Sequence, residues 1–226
     1  MIVLLPMKGH SERIKNKNLK LFNGKPLYHT IVNTLLASKH IEFIVINSDS
    51  ALIEQDAKKN FGDNIVFIKR PRYIQGDFVS MNKIIAHDLS VLEGEHFLQT
   101  HSTNPLLKAE TIDKAIDKYY SKLNNCDSLF SITKLQTRLY DKSLHPVNHN
   151  PAELIRTQDL EPLYEENSNL YIFSKSSFIN AKNKRIGIKP TYFEIKKLEA
   201  IDIDYEEDFI IAEAIMKKIK DYNHET

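Results

Sequence analysis

Short continuous apolar runs alternate along this chain with longer stretches whose apolar residues recur every three or four positions. The run IVLLP at 2–6 is of the first kind and predicts a strand buried on both faces. PLYHTIVNTLLAS is of the second kind, with Leu27, Ile31 and Leu35 joined by Val32 and Leu36 at helical spacing. IEFIVINSD predicts a second buried strand that ends in Ser48 and Asp49. SALIEQDAKKNFG predicts a helix with Ser50 as N-cap and Gly62 just past its end. NIVFIKRP reads as a strand, SMNKIIAHDLSVLEG as a helix, and EHFLQTHSTNP as a strand running into a polar turn. AETIDKAIDKYYSKL is a further helix and SLFSITKL a further strand. Later, NLYIF predicts a strand, SSFINAKN a short helix and YFEIKKLEAIDID an extended segment. EEDFIIAEAIMKKIKDY is the last helix, acidic in its first turn and lysine-rich in its last, which suits the helix dipole.

This alternation predicts one α/β domain over residues 1–226, a Rossmann-like, mainly parallel sheet with helices on both faces. Ligands bind such sheets beyond the carboxyl ends of the strands, so the loops at 6–18, 47–50, 69–77 and 99–105 matter most. The pattern fails within an excursion at about 135–190, where Pro146, Pro151 and Pro162 accompany Asn148, His149 and Asn150. An irregular insertion of that length inside a compact domain is expected to bind substrate or a partner.

Charge sharpens the picture. The 226 residues carry 31 basic and 30 acidic side chains, so nothing general points to nucleic acid or an anionic membrane. Yet Lys8, Arg13, Lys15, Lys17, Lys20 and Lys25 crowd the segment after the first strand, with Glu12 as the lone acid among them. The single cysteine, Cys126, rules out an internal disulfide framework and fits a reducing compartment. Ile2–Leu5 is too short for a signal-peptide core, and no apolar run approaches the ~20 residues that cross a bilayer. The expectation is a soluble cytoplasmic protein. The nine histidines show no metal-ligand spacing and are expected at the surface or in turns.

Two stretches carry candidate chemistry. The basic loop can cradle phosphates with its amides and lysines, or can be a solvated run of charge. It is neither a P-loop, since Gly9 is followed five residues later by Ile14, nor a G-x-G-x-x-G fingerprint. In Ile201-Asp202-Ile203-Asp204, alternation puts both isoleucines on one face and both aspartates on the other. By itself this reads as Asp204 capping the last helix, with Glu207 completing a capping box and Asp202 merely exposed.

A resemblance changes that weighting. MKGHSERIKNKNLKLFNGKPL resembles the signature loop of the CMP-sugar synthetases, cytidylyltransferases that activate sialic acid and related nonulosonic acids. The matching positions are Lys8, Gly9, Ser11, Arg13, Lys17, Asn18, Gly24 and Pro26. The Lys17-Asn18 pair resembles the sialic acid branch, whereas deoxy-octulosonate (KDO) cytidylyltransferases more often have Lys-Pro there. IEFIVINSDS resembles the family's second strand, KRPRYIQGD its Arg-Pro…Asp segment with Arg70 and Asp77, and THSTNPLL its Thr-Ser-Pro turn. IRTQDLEPLYEENSNLYIF and AIDIDYEEDFIIAEAI resemble its later segments, in the same order.

The resemblance implies transfer of CMP from CTP to a sialic-acid-like sugar acid, with pyrophosphate released. It implies Mg²⁺ held by Asp202 and Asp204, with Lys8, Arg13 and Lys17 acting on the phosphates. Nucleotide contacts are implied for those three cations and for Gly9, Ser11, Asn18, Arg70, His101 and Thr103. Contacts to the sugar are implied for Gln99, Arg156, Gln158, Asn169 and Tyr171, and a homodimer is implied through the excursion. The chain departs from the pattern in three places. Gln99 or His101 fills the family's glutamine position, Leu107 replaces an arginine, and Asn167-Ser168-Asn169 replaces Asn-Gly-Ala. The acceptor therefore stays open: KDO or a polyol phosphate is an alternative, as is a catalytically silent nucleotide-binding protein on the same fold.

Overall fold

The computed structural model describes residues 1–224. β1 (Ile2–Met7) leads through the basic loop to a short hairpin, β2 (Leu21–Phe22) and β3 (Lys25–Pro26), and then to α1 (Leu27–Leu36). Next come β4 (Phe43–Ser48), α2 (Ala51–Phe61), β5 (Ile65–Lys69), α3 (Met81–Val91) and β6 (His96–Gln99). They are followed by α4 (Ala109–Lys122), β7 (Ser128–Leu135), β8 (Leu163–Ser174), α5 (Lys175–Asn180), β9 (Pro190–Glu194) and α6 (Glu206–His224).

Seven strands form one sheet in the order β5-β4-β1-β6-β8-β7-β9. β1 pairs in parallel with β4 and β6, β4 with β5, and β7 with β9. β8 runs antiparallel to both of its neighbours. All six residues of β1 are buried, as its unbroken apolar run requires. One face packs Val3, Leu5, Ile44 and Ile46 against Ile31 and Val32 of α1, Ala57 of α2 and Ile116 of α4. The other packs Leu4, Val45, Phe97 and Tyr171 against Ile85 of α3 and Phe178 of α5.

A third apolar cluster matters for function. Ile14 from the basic loop, Phe22 from β2 and Leu27 from α1 close around Ile203, Phe209 and Ala212. Burying an aliphatic or aromatic side chain of this kind contributes about 1.5–3 kcal/mol. The cluster thus fastens the loop after β1 to the segment that carries Asp202 and Asp204.

The helix signals at α2 hold: the Ser50 hydroxyl accepts from the Ile53 amide, and Gly62 follows the last turn. Other expectations are corrected. The irregular part of the excursion covers only 136–162, with a 3₁₀ turn at Thr157–Asp159 and a bridge between Tyr140 and Pro146. Inside the expected 135–190 insertion, β8 is a strand of the main sheet and α5 packs on it, their apolar residues Leu170, Ile172, Phe173 and Phe178 completing the core. The extended segment expected from Tyr192 to Asp204 is a strand only to Glu194, then turns. His29 is not at the surface: its ring is buried beside Tyr28 and Phe61, with Nε2 2.6 Å from Asp56.

Candidate active site

A cleft of about 390 Å³ opens beyond the carboxyl ends of β1 and β6. The basic loop forms one wall, the turn at His101–Thr103 the floor, and Asp202 and Asp204 the rim. Ser168 and Arg185 close the side over β8. Nine of the residues singled out from sequence line this space: Lys8, Ser11, Arg13, Lys17, Asn18, His101, Thr103, Asp202 and Asp204.

The loop is held by its own polar groups. Asn18 is buried, donates to the Lys8 carbonyl at 2.9 Å and accepts from the Ser102 hydroxyl at 2.6 Å. The Gly9 amide donates to Asp49 at 2.7 Å, and a Cβ at Gly9 would lie 2.6 Å from that of Ser50. Gly9 therefore serves a close approach to the start of α2. The 47–50 loop supports the wall of the cleft without lining it.

The cations are individually engaged. Lys8 pairs with Asp77 at 2.9 Å, and Arg13 with Asp204 at 2.8 Å. Lys17 donates to the Ile203 carbonyl at 2.6 Å and lies 3.6 Å from Asp204. Burial lowers the Lys17 pKa, and the charges of Asp204 and Asp202 work against that shift. Partial desolvation raises the Asp202 carboxyl, the Thr103 hydroxyl opposes this, and the like charge of Asp204 adds to it. Lys20 stands outside the cleft and pairs with Glu206.

Asp204 does not cap α6. The Asp208 carboxylate accepts from the backbone amides of Asp204 and Tyr205, at 3.0 and 2.7 Å. That leaves the Asp204 side chain free to face the cations. The capping reading of the sequence is thereby overturned; EEDF in the first turn was the signal for Asp208.

Gln99 and His101 take different places in the floor. Gln99 is fully buried, and its Oε1 accepts from Arg185 at 2.6 Å. Arg185 has only donors, so the Gln99 amide nitrogen faces the other way. That nitrogen donates to the Thr100 carbonyl at 2.9 Å and lies 3.2 Å from His101 Nε2. His101 Nε2 must therefore accept, which places the ring proton on Nδ1 and makes the imidazole neutral. Burial, then the charges of Arg185 and Lys17, push its pKa down to about 4. His101 meets the cleft and Gln99 orients it from below.

The other residues singled out from sequence lie elsewhere. Arg70 is buried beneath the cleft, where it donates to the carbonyls of Met7 and Asn47 and to Asn47 Oδ1. It ties the ends of β1 and β4 together and does not line the cleft. Asn169 and Tyr171 are buried in β8. Tyr171 supports Arg185, whose guanidinium lies 3.6 Å above its ring. Arg156 and Gln158 stand exposed on the excursion, away from the cleft of their own chain, and Arg156 pairs with Asp159. Sequence reasoning missed Arg185, which sits in a loop without a motif, and gave Asp77 no role.

Comparisons with known proteins give the family. The cytidylyltransferase family model matches residues 2–225. This chain belongs to the cytidylyltransferase family. It is 23% identical to the pseudaminic acid cytidylyltransferase of Campylobacter jejuni, over all of this chain and 98% of that one. It is 24% identical to the N-acylneuraminate cytidylyltransferase of Escherichia coli, over 96% of this chain and 52% of that longer protein. Among solved structures, a CMP:2-keto-3-deoxy-manno-octonic acid synthetase complexed with CTP superposes with a TM-score of 0.71 at 11% identity. That match covers 96% of this chain and 98% of the other. This cytidylyltransferase therefore has the expected mainly parallel α/β fold.

Proposed function

We propose that this enzyme transfers CMP from CTP to a nonulosonic sugar acid of the sialic or pseudaminic class. An acceptor hydroxyl forms a bond to the α-phosphorus, the bond to the bridging oxygen of the leaving group breaks, and pyrophosphate departs. The hydroxyl proton is lost to solvent or a nearby base. The observation that carries this reading is the meeting of Lys8, Arg13 and Lys17 with Asp202 and Asp204 in one cleft. The Campylobacter jejuni relatives, aligned over all of this chain and 98% of their own length, are named for pseudaminic acid in both strains.

Charge builds on the phosphates in such a transfer, so positioning and electrostatic stabilisation dominate. Lys8, Arg13 and Lys17 hold the triphosphate and neutralise the departing pyrophosphate. Asn18 and Ser102 fix the loop that presents them, and His101 offers Nδ1–H as a neutral donor. Asp202 and Asp204 fit Mg²⁺: both are hard oxygen donors on the cleft rim, and their mutual repulsion is relieved by a cation. Mg²⁺ so bound supplies a Lewis acid that neutralises phosphate charge and acidifies a hydroxyl.

The enzyme acts as a homodimer in the cytoplasm. The excursion exposes Leu144, Val147, Leu154 and Ile155, apolar side chains that a second copy would cover. Such a copy would also give Arg156 and Gln158 a cleft to enter. No helix among the described residues is long and apolar enough to cross a membrane.

The test is pyrophosphate release with Mg²⁺ and each of CTP, UTP, ATP and GTP, over a panel of N-acetylneuraminate, pseudaminate, KDO and a polyol phosphate. Turnover with CTP and a nonulosonic acid is expected. Turnover only with KDO or the polyol phosphate overturns the acceptor class. CTP binding without any turnover means a silent binding protein. Light scattering of the purified protein reads the dimer.

A further inference from the structure

Four strong cations line the cleft, and three of them have a carboxylate partner: Lys8 with Asp77, and Arg13 and Lys17 with Asp204. Arg185 forms no ion pair among the described residues. Its guanidinium is half-buried, stacked 3.6 Å above Tyr171, and donates one N–H to Gln99 at 2.6 Å. Tyr171 is itself held, since its hydroxyl bonds Glu166 and lies 3.1 Å from Ser168. Arg185 feels the charge of Glu166 but makes no direct pair with it, and a half-buried cation without a direct carboxylate partner is costly unless an anion arrives. Here the planar group is clamped on one face and one edge, and its remaining N–H groups are left for a ligand.

We infer that Arg185 is the residue that reads the carboxylate of the acceptor, and so selects sugar acids over neutral sugars. The inference rests on the acceptor class proposed above and adds the residue that recognises it. Three observations support it over a role in holding the triphosphate. Arg185 comes from the loop between α5 and β9 and lies over β8, whereas the phosphate-binding cations share the loop after β1. His101 lines the same cleft, close enough to feel the charge of both Arg185 and Lys17. A guanidinium also matches a carboxylate with two parallel N–H···O bonds, a geometry that a lysine ammonium cannot supply.

The experiment compares wild type, Arg185→Gln and Arg185→Lys with Mg²⁺, CTP and the acceptor that the panel identifies, beside the C1 carboxamide of that acceptor. CTP affinity is measured separately by calorimetry and also reports folding. Arg185→Gln should raise the acceptor KM about tenfold to a hundredfold while leaving the CTP Kd within about twofold. Arg185→Lys should recover part of that loss. Wild type should prefer the acid over the carboxamide at least tenfold, and Arg185→Gln should lose that preference. An unchanged KM, an equal acid preference in wild type and variant, or an equal loss of CTP affinity overturns the assignment. If Arg185→Gln does not bind CTP because it fails to fold, the KM and acid preference of Arg185→Lys decide. Wild-type turnover with no sugar acid at all would instead sink the acceptor class, and the assignment with it.

Discussion

Arg13 and Asp204 are 191 positions apart in the chain, and their side chains meet at 2.8 Å on the rim of the cleft. Lys17 approaches the same carboxylate. One carboxylate thus gathers two cations of the basic loop. The backbone amides ahead of α6 are served by Asp208 instead.

That division of labour predicts separable effects. Asp204→Asn should melt close to wild type yet retain little Mg²⁺-dependent turnover, because an amide is a poor ligand for a hard cation. Asp202→Asn should behave alike. Asp208→Ala should instead lose about 1 kcal/mol of stability, the usual cost of a lost cap. Melting curves beside a Mg²⁺ titration of pyrophosphate release decide this. Full activity in Asp204→Asn would show that the pair is structural.

Lys17→Ala should lose roughly tenfold to a hundredfold in activity, the ~1.5–3 kcal/mol of a charge-assisted contact. Lys20→Ala should change little, since its pair with Glu206 is exposed and lies outside the cleft. Equal kinetics for the two variants would reduce the basic loop to a solvated surface.

His101 should remain neutral down to about pH 4, with its proton on Nδ1. Between about pH 4 and 6.5 the unfolded chain binds a proton that the native ring refuses. This group therefore favours folding more strongly as pH rises through that window. Nitrogen-detected NMR of the histidine rings reads both the tautomer and the titration. A His101 midpoint near 6.5 would mean that the Gln99 orientation is wrong.

Asp88 points the opposite way. It is fully buried beside Asn47, and burial pushes its carboxyl up to about 7. The native state then holds a proton that the unfolded chain releases between about pH 4 and 7, so this group disfavours folding as pH rises. Asp88→Asn mimics the protonated acid at every pH. Its stability relative to wild type should grow from pH 5 to pH 8, by on the order of 3 kcal/mol. Denaturant melts at the two pH values measure the change, and a constant difference would place Asp88 in the ionised form throughout.

The strands and helices were legible because their periodicities differ and because β1, β4 and β6 are covered on both faces. The loop residues were legible through a motif. β8 was underestimated, since its first half is polar: Glu165 and Glu166 carry no apolar alternation, and only the pairing with β7 shows them as strand. Arg185 was illegible for a different reason. Its place depends on where Tyr171 and Gln99 present a ring face and an amide oxygen, and neither is encoded near residue 185. Arg70 was misplaced toward the ligand because a cation after a strand reads the same whether it faces a ligand or the strand ends.

The apolar cluster of Ile14, Phe22, Leu27, Ile203, Phe209 and Ala212 also orders events in time. A ribosome adding about 5–20 residues per second makes Arg13 roughly 10–40 s before Asp204. During that interval the nascent chain carries its basic loop with neither the hydrophobic clasp nor the acidic partners that shape it. The pocket is complete only once the segment that carries Asp204 has joined the loop that carries Arg13.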